Sequence, residues 1–182
     1  MRNLILALAA LALVLCIAAP ASAQQFEIGA KVGVWGADDL DTVALPGDEN
    51  DSSFINYGVV AQYNINEMFG IRLDIELAGS DTCDSTTFVI SGVYNFMTRE
   101  NSDWVPYGRL GIVISDIDID LTGAVSYDTE FGFDAAVGVA YFYEQWKFFG
   151  ELGYRMISFD HATAPELDMN GMIFAVGVMF IF

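Results

Sequence analysis

Basic residues are scarce in this chain. Seven Lys and Arg face 25 Asp and Glu across 182 residues, for a formal net charge of −18. Nucleic-acid binding needs Lys and Arg to meet phosphates, so it is excluded. Cysteine is scarcer still, with Cys16 and Cys83 alone, and His161 is the single histidine. Two thiols cannot build a disulfide framework or a paired-Cys metal site. One histidine leaves one place for His-based hydrolysis. No Gly-rich phosphate loop or zinc ligand set occurs, and no cofactor is expected. No Ser/Pro linker marks a seam between domains. After the first 23 residues, no apolar run is long enough for a helical membrane span. Yet 54% of the residues are hydrophobic. A chain both acidic and apolar must keep the two on separate faces.

Residues 1–23 stand apart. Arg2 precedes an apolar run from Leu4 to Ile17, Pro20 breaks it, and Ala21, Ser22 and Ala23 supply small residues for cleavage. That is the anatomy of a secretory signal peptide. The run is shorter than the ~20 residues a spanning helix requires. Leu15 before Cys16 departs from the small residue of a lipoprotein signal. The expected mature chain is one domain over 24–182, with Cys83 as an unpaired thiol at a loop tip.

Within that domain the pattern has period two, which assigns alternate residues to opposite faces of a strand. In "FEIGAKVGVWG", Phe26, Ile28, Ala30, Val32 and Val34 alternate with Glu27, Gly29, Lys31, Gly33 and Trp35. In "FGIRLDIEL", Phe69, Ile71, Leu73, Ile75 and Leu77 alternate with Gly70, Arg72, Asp74 and Glu76. Segment 131–143 alternates in the same way. Segments 54–63, 86–96, 105–115, 147–157 and 171–182 bring the count to eight strands. Of these, 86–96 and 171–182 are apolar on both faces. Three connections are brief (64–68, 97–103 and 144–145), and they alternate with four that are rich in Asp. Short and long connections alternate in this way in an up-and-down barrel that crosses a membrane. Aromatics gather at strand ends. Phe69, Tyr94, Phe96, Trp104, Tyr141, Tyr143, Trp146, Phe148 and Phe182 lie toward the short turns, and Trp35, Phe54, Tyr57 and Phe131 toward the long loops. Two girdles at lipid–water interfaces have this distribution. A soluble lipocalin-like barrel alternates too, with its faces reversed. The Gly, Ala, Asn, Ser and Gln of the polar face suit a narrow lumen better than a solvated surface.

The fold class expected is therefore all-β: an eight-stranded antiparallel transmembrane β-barrel preceded by a cleaved signal peptide. The chain ends "MIFAVGVMFIF". Gly177, Phe180 and Phe182 resemble the terminal assembly signal of bacterial outer-membrane β-barrel proteins, with Ala175 where that signal usually has a polar residue. "WVPYGRLGIVIS" (104–115) and "FGELGYRM" (149–156) are similar to mid-barrel strands of small OmpA/OmpX-type barrel domains. The resemblance spans 24–182. It implies export to the outer membrane of a Gram-negative bacterium and insertion by the barrel-assembly machinery. It also implies contact with outer-membrane lipid and lipopolysaccharide.

The face assignment puts Glu27, Asp74, Glu76, Glu130, Asp134 and Glu151 in the lumen with Lys31, Arg72, Arg109 and Arg155. Paired charges there form an ion-pair plug that fixes register, since isolated buried charges are costly. The competing reading is a narrow path for ions or small solutes. Eight strands are too few for a porin-like channel. The four long connections carry 15 of the 25 acidic residues and no Lys or Arg. Such loops suit divalent cations, which prefer oxygen ligands, although "DIDID" (116–120) lacks the glycine and distal Glu of a Ca²⁺ loop. That segment is expected to extend a strand above the membrane. His161, Thr163 and Glu166 distantly resemble the seventh-strand His, Ser and acid of lipid A deacylase barrels. Thr replaces the Ser, and Pro165 breaks the strand. The function read is non-enzymatic, structural or surface-interacting through acidic loops, in a monomer. A lipid A-modifying enzyme and a narrow channel are the alternatives.

Overall fold

The computed structural model describes residues 26–37, 53–79, 83–119, 125–126, 129–159 and 167–182. Residues 1–23, Asp81, most of the loop acids, and His161, Thr163 and Glu166 lie outside the described residues. Eight long strands are present: β1 (Phe26–Ala37), β2 (Ser53–Asn64), β3 (Phe69–Gly79), β4 (Cys83–Asn95), β5 (Trp104–Ile119), β6 (Glu130–Tyr143), β7 (Trp146–Met156) and β8 (Gly171–Ile181). Each pairs antiparallel with the strands before and after it, as Val60 with Asp74 between β2 and β3. β8 then pairs with β1, Val32 opposite Val176, and the sheet closes into an eight-stranded barrel. Closure removes both free edges. Val125–Ser126 adds a short ladder to β5, and Ser158–Phe159 pairs with Leu167–Asp168.

The faces settle which solvent the wall meets. On β1, Ile28, Val32 and Val34 point outward and are exposed, while Glu27, Lys31 and Trp35 point inward and are buried. Leu110, Val137, Leu152 and Phe174 continue the apolar outer wall around the barrel. A soluble barrel would reverse this arrangement. The strands run 11 to 16 residues, and ~9–11 tilted residues suffice to cross a bilayer.

Several boundaries and placements differ from the sequence reading. β4 begins at Cys83, whose backbone pairs with Ile119, so that residue opens a strand and is not at a loop tip. β5, by contrast, runs on to Ile119, so that "DIDI" extends the strand as expected. Trp35 does not join the outer girdle. It is 1% exposed, inside the barrel, with its ring 5.0 Å from the Arg155 guanidinium. Its parity with Glu27 and Lys31 dictates that position. The doubly apolar β4 resolves with Thr87, Val89, Ser91 and Val93 inward and Ile90, Gly92 and Tyr94 outward.

The short-turn rim is bordered by packed rings. Trp104 meets Tyr141 at 4.8 Å, Phe69 meets Tyr94 at 4.9 Å, and Trp146 meets Phe180 at 5.2 Å. Amphipathic rings favour this depth. The two-residue turn Glu144–Gln145 puts Glu144 at φ 52°. That conformation costs a non-glycine roughly 1–2 kcal/mol. It is held by Arg99 Nη2, which donates to the Glu144 carbonyl at 2.6 Å, and by Ile181 N, which donates to Gln145 O at 2.8 Å.

Candidate functional site

The lumen is where the polar chemistry concentrates. Odd positions of β1 and β7 and even positions of β3 face inward by strand parity, and they carry most of the charged side chains. Lys31 Nζ lies 2.8 Å from Asp74 and 2.7 Å from Glu76. Glu76 meets Arg155 at 3.1 Å, and Arg155 meets Asp134 at 3.1 Å. Asp134 meets Arg109 at 2.6 Å, and Arg109 meets Glu151 at 3.3 Å. Glu151 meets Arg72 at 3.0 Å, and Arg72 returns to Asp74 at 2.7 Å. The contacts close on themselves. Four acids and four bases alternate around a ring in which every member touches at least two opposite charges, Lys31 also reaching Glu151 across it at 4.0 Å. All eight side chains are at most 2% exposed.

Neutral groups complete the ring. Tyr107 Oη donates to Glu151 at 3.0 Å, and Asn56 Nδ2 donates to Glu76 at 3.3 Å. Above it, Ser85, Thr87 and Ser115 hydroxyls cluster, with Thr87 and Ser115 2.8 Å apart. Below it lies an apolar layer of Val60, Val93, Val105, Phe149 and Met179, all buried inside the bore. Beneath that layer a separate pair forms, Lys147 Nζ to Glu27 at 2.7 Å, with Gln62 accepting from the same ammonium at 3.2 Å.

Of the lumen residues expected from sequence, the ring unites Lys31, Arg72, Asp74, Glu76, Arg109, Asp134, Glu151 and Arg155. Glu27 pairs lower down. Glu130 shares the inward parity but is half-buried at the long-loop end and enters no ion pair among the described residues. Lys147 was missed, although its spacing of four from Glu151 puts it on the same face. The apolar layer was missed too, in part because Val93 and Met179 come from β4 and β8, where both faces read as hydrophobic.

The terminal residues pack as a unit. Phe180 meets Phe182 at 5.1 Å, and Phe182 meets Phe26 across the closing seam at 6.0 Å. Gly177 points inward, and any side chain there would collide with the Phe149 ring. At the short-turn mouth, below Glu27 and Lys147, a cavity of about 420 Å³ opens between the turns.

A closed barrel with a greasy exterior, a charged interior and an aromatic rim points to the bacterial outer membrane, and comparison with known proteins agrees. Residues 7–182 match the family model described as outer membrane protein beta-barrel domain. The chain belongs to that family. Its fold is similar to the N-terminal barrel domain of Pseudomonas aeruginosa OprF, with a TM-score of 0.64 and 16% identity, covering 87% of this chain and 97% of that one. It is also similar to OprG of the same organism, with a TM-score of 0.60 and 17% identity over 88% and 96% of the two chains. Neisserial surface protein A gives a TM-score of 0.59 and 18% identity over 90% and 100%. No curated protein sequence matches. This chain is thus an outer-membrane barrel of a Gram-negative bacterium. Its short turns face the periplasm and its long loops the outside, as in the fold generally.

Proposed function

We propose that this barrel is a non-enzymatic surface protein that acts through its acidic outer loops. The observation that supports this is where the bases went. Five of the seven Lys and Arg (Lys31, Arg72, Arg109, Lys147 and Arg155) are buried in the lumen, each paired. Arg2 lies in the leader and Arg99 in a periplasmic turn. The outward-facing loops and the strand ends that carry them keep 15 acids and no base. Such a face repels the phosphates of lipopolysaccharide unless divalent cations bridge them, and hard cations take carboxylate oxygens. It attracts cationic partners at long range.

In this reading the leader 1–23 is removed on export and 24–182 remains as a monomer. Gly177, Phe180 and Phe182 present the closing strand to the assembly machinery. The ring of charges is a plug that holds register and does not conduct.

The test removes residues 38–52 and measures cell-surface binding, serum resistance and membrane integrity, each with and without Mg²⁺. Loss of at least one, dependent on the cation, is expected. If all stay unchanged while the barrel still folds, the loop role is wrong. Incubation with lipid A should release no acyl chain. Release that vanishes in a His161→Ala variant would instead make the chain an enzyme.

A further inference from the structure

The periplasmic mouth carries chemistry that neither the plug nor the loops use. Its cavity of about 420 Å³ falls in the roughly 300–1,000 Å³ range of small-ligand sites. The roof is already satisfied, because Glu27 accepts from Lys147 at 2.7 Å and from Asn64 at 2.8 Å. The walls are not. Glu67 and Glu100 line the cavity without an ion-pair partner among the described residues. Arg99 spends Nη2 on the Glu144 carbonyl, and its guanidinium lies 5.3 Å from the Phe142 centroid. Its remaining N–H groups are open.

Two carboxamides are half-used in the same way. Asn66 Oδ1 accepts from Met68 N at 2.8 Å and Phe69 N at 2.9 Å, which leaves its NH₂ free. Asn95 Nδ2 donates to Glu67 O at 3.0 Å, which leaves its carbonyl oxygen free. Val105 and Phe142 supply an apolar floor.

The open groups are therefore two carboxylates, one guanidinium edge, one amide donor, one amide acceptor and an apolar patch. A metal ion would leave the guanidinium unused. An anion would meet an excess of carboxylate. A neutral sugar would leave both signs of charge without a partner. We propose that this vestibule binds a short peptide with free termini. The ammonium sits between Glu67 and Glu100, the terminal carboxylate meets Arg99, and Asn66 and Asn95 pair with the peptide amide between them. A small side chain rests on Val105 and Phe142. Charge-assisted contacts at both ends make recognition depend on both termini.

The test uses the full chain folded in detergent at 150 mM salt, where a Debye length of about 8 Å screens nonspecific long-range attraction. Tri-alanine, N-acetyl-tri-alanine and tri-alanine amide are titrated by calorimetry. Saturable one-to-one binding of tri-alanine is expected, at least tenfold weaker after either end is blocked. In a Glu67→Gln/Glu100→Gln double variant, tri-alanine should bind at least tenfold more weakly, and N-acetylation should cost nothing further. Arg99→Gln should abolish the penalty of C-terminal amidation alone, which distinguishes a lost contact from a loosened turn. Deleting 38–52 should leave the affinity unchanged, which keeps this outcome separate from that of the outer loops. Equal affinity for the three ligands, loss of binding on deleting 38–52, or displacement by 5 mM Mg²⁺ would overturn the proposal, as would no saturable binding.

Discussion

At the scale of single residues, the ring makes an asymmetric prediction. Glu76 serves Lys31, Arg155 and Asn56 together. Replacing it by Gln leaves two cations short of a partner, at a cost of about 3–5 kcal/mol. The midpoint of urea unfolding in detergent should fall accordingly. The lower pair behaves differently. Lys147→Met together with Glu27→Gln removes both charges of one contact, so the double variant should be more stable than Lys147→Met alone. Gly177 is constrained from two sides, by the Phe149 ring and by the Ala30 carbonyl. Gly177→Ala should slow refolding, and a second change, Phe149→Ala, should restore it only in part because the carbonyl remains.

At the scale of elements, legibility in the sequence followed the chemistry of the inward face. β1, β3 and β6 carry Lys, Arg, Asp or Glu at alternate positions, so their faces could be read directly. β4 and β8 could not be read that way, because Val89, Val93 and Met179 fill the bore with the same residue types that meet lipid. Their parity came from their partners: Thr87 stands opposite Glu76, and Ala175 opposite Glu151 and Gly33. Trp35 shows the reverse error, in which a strand-end aromatic suggested an interface although its register already placed it inside. The last three residues complete the closing seam, where Glu27 pairs with Ile181 and Ile28 with Phe180. Removing Phe180–Phe182 takes away those two pairings and the aromatic pair proposed to guide assembly. The chain should then lose the faster-migrating folded band in unheated gels and fail to insert into vesicles.

At the scale of the whole molecule, two unlike layers block the bore in series. The charged ring lies over an apolar layer that includes Val93, Phe149 and Met179. In the proposed plug, the apolar layer excludes water and the charged one offers ions only closed pairs. Neutralising a single ring member, as in Glu151→Gln, should therefore leave planar bilayers electrically silent, since the hydrophobic layer persists. Steady single-channel currents from the unaltered chain would show that this stacking leaks. None of this vertical order was visible from alternation, which sorts side chains by face but not by height around the wall.

The ring also divides cleanly. Lys31, Arg72, Asp74 and Glu76 come from β1 and β3, while Arg109, Asp134, Glu151 and Arg155 come from β5, β6 and β7. Each group sums to zero, and three contacts cross between them: Arg72 with Glu151, Glu76 with Arg155 and, at 4.0 Å, Lys31 with Glu151. The ring is thus made of two electrically neutral halves fastened by these contacts, with Lys147–Glu27 as a further clasp lower down. A polypeptide severed within 97–103 strands, of the paired lumen charges, only Glu27 on one piece and Lys147 on the other, and the mixed fragments should recover the gel mobility of the intact protein.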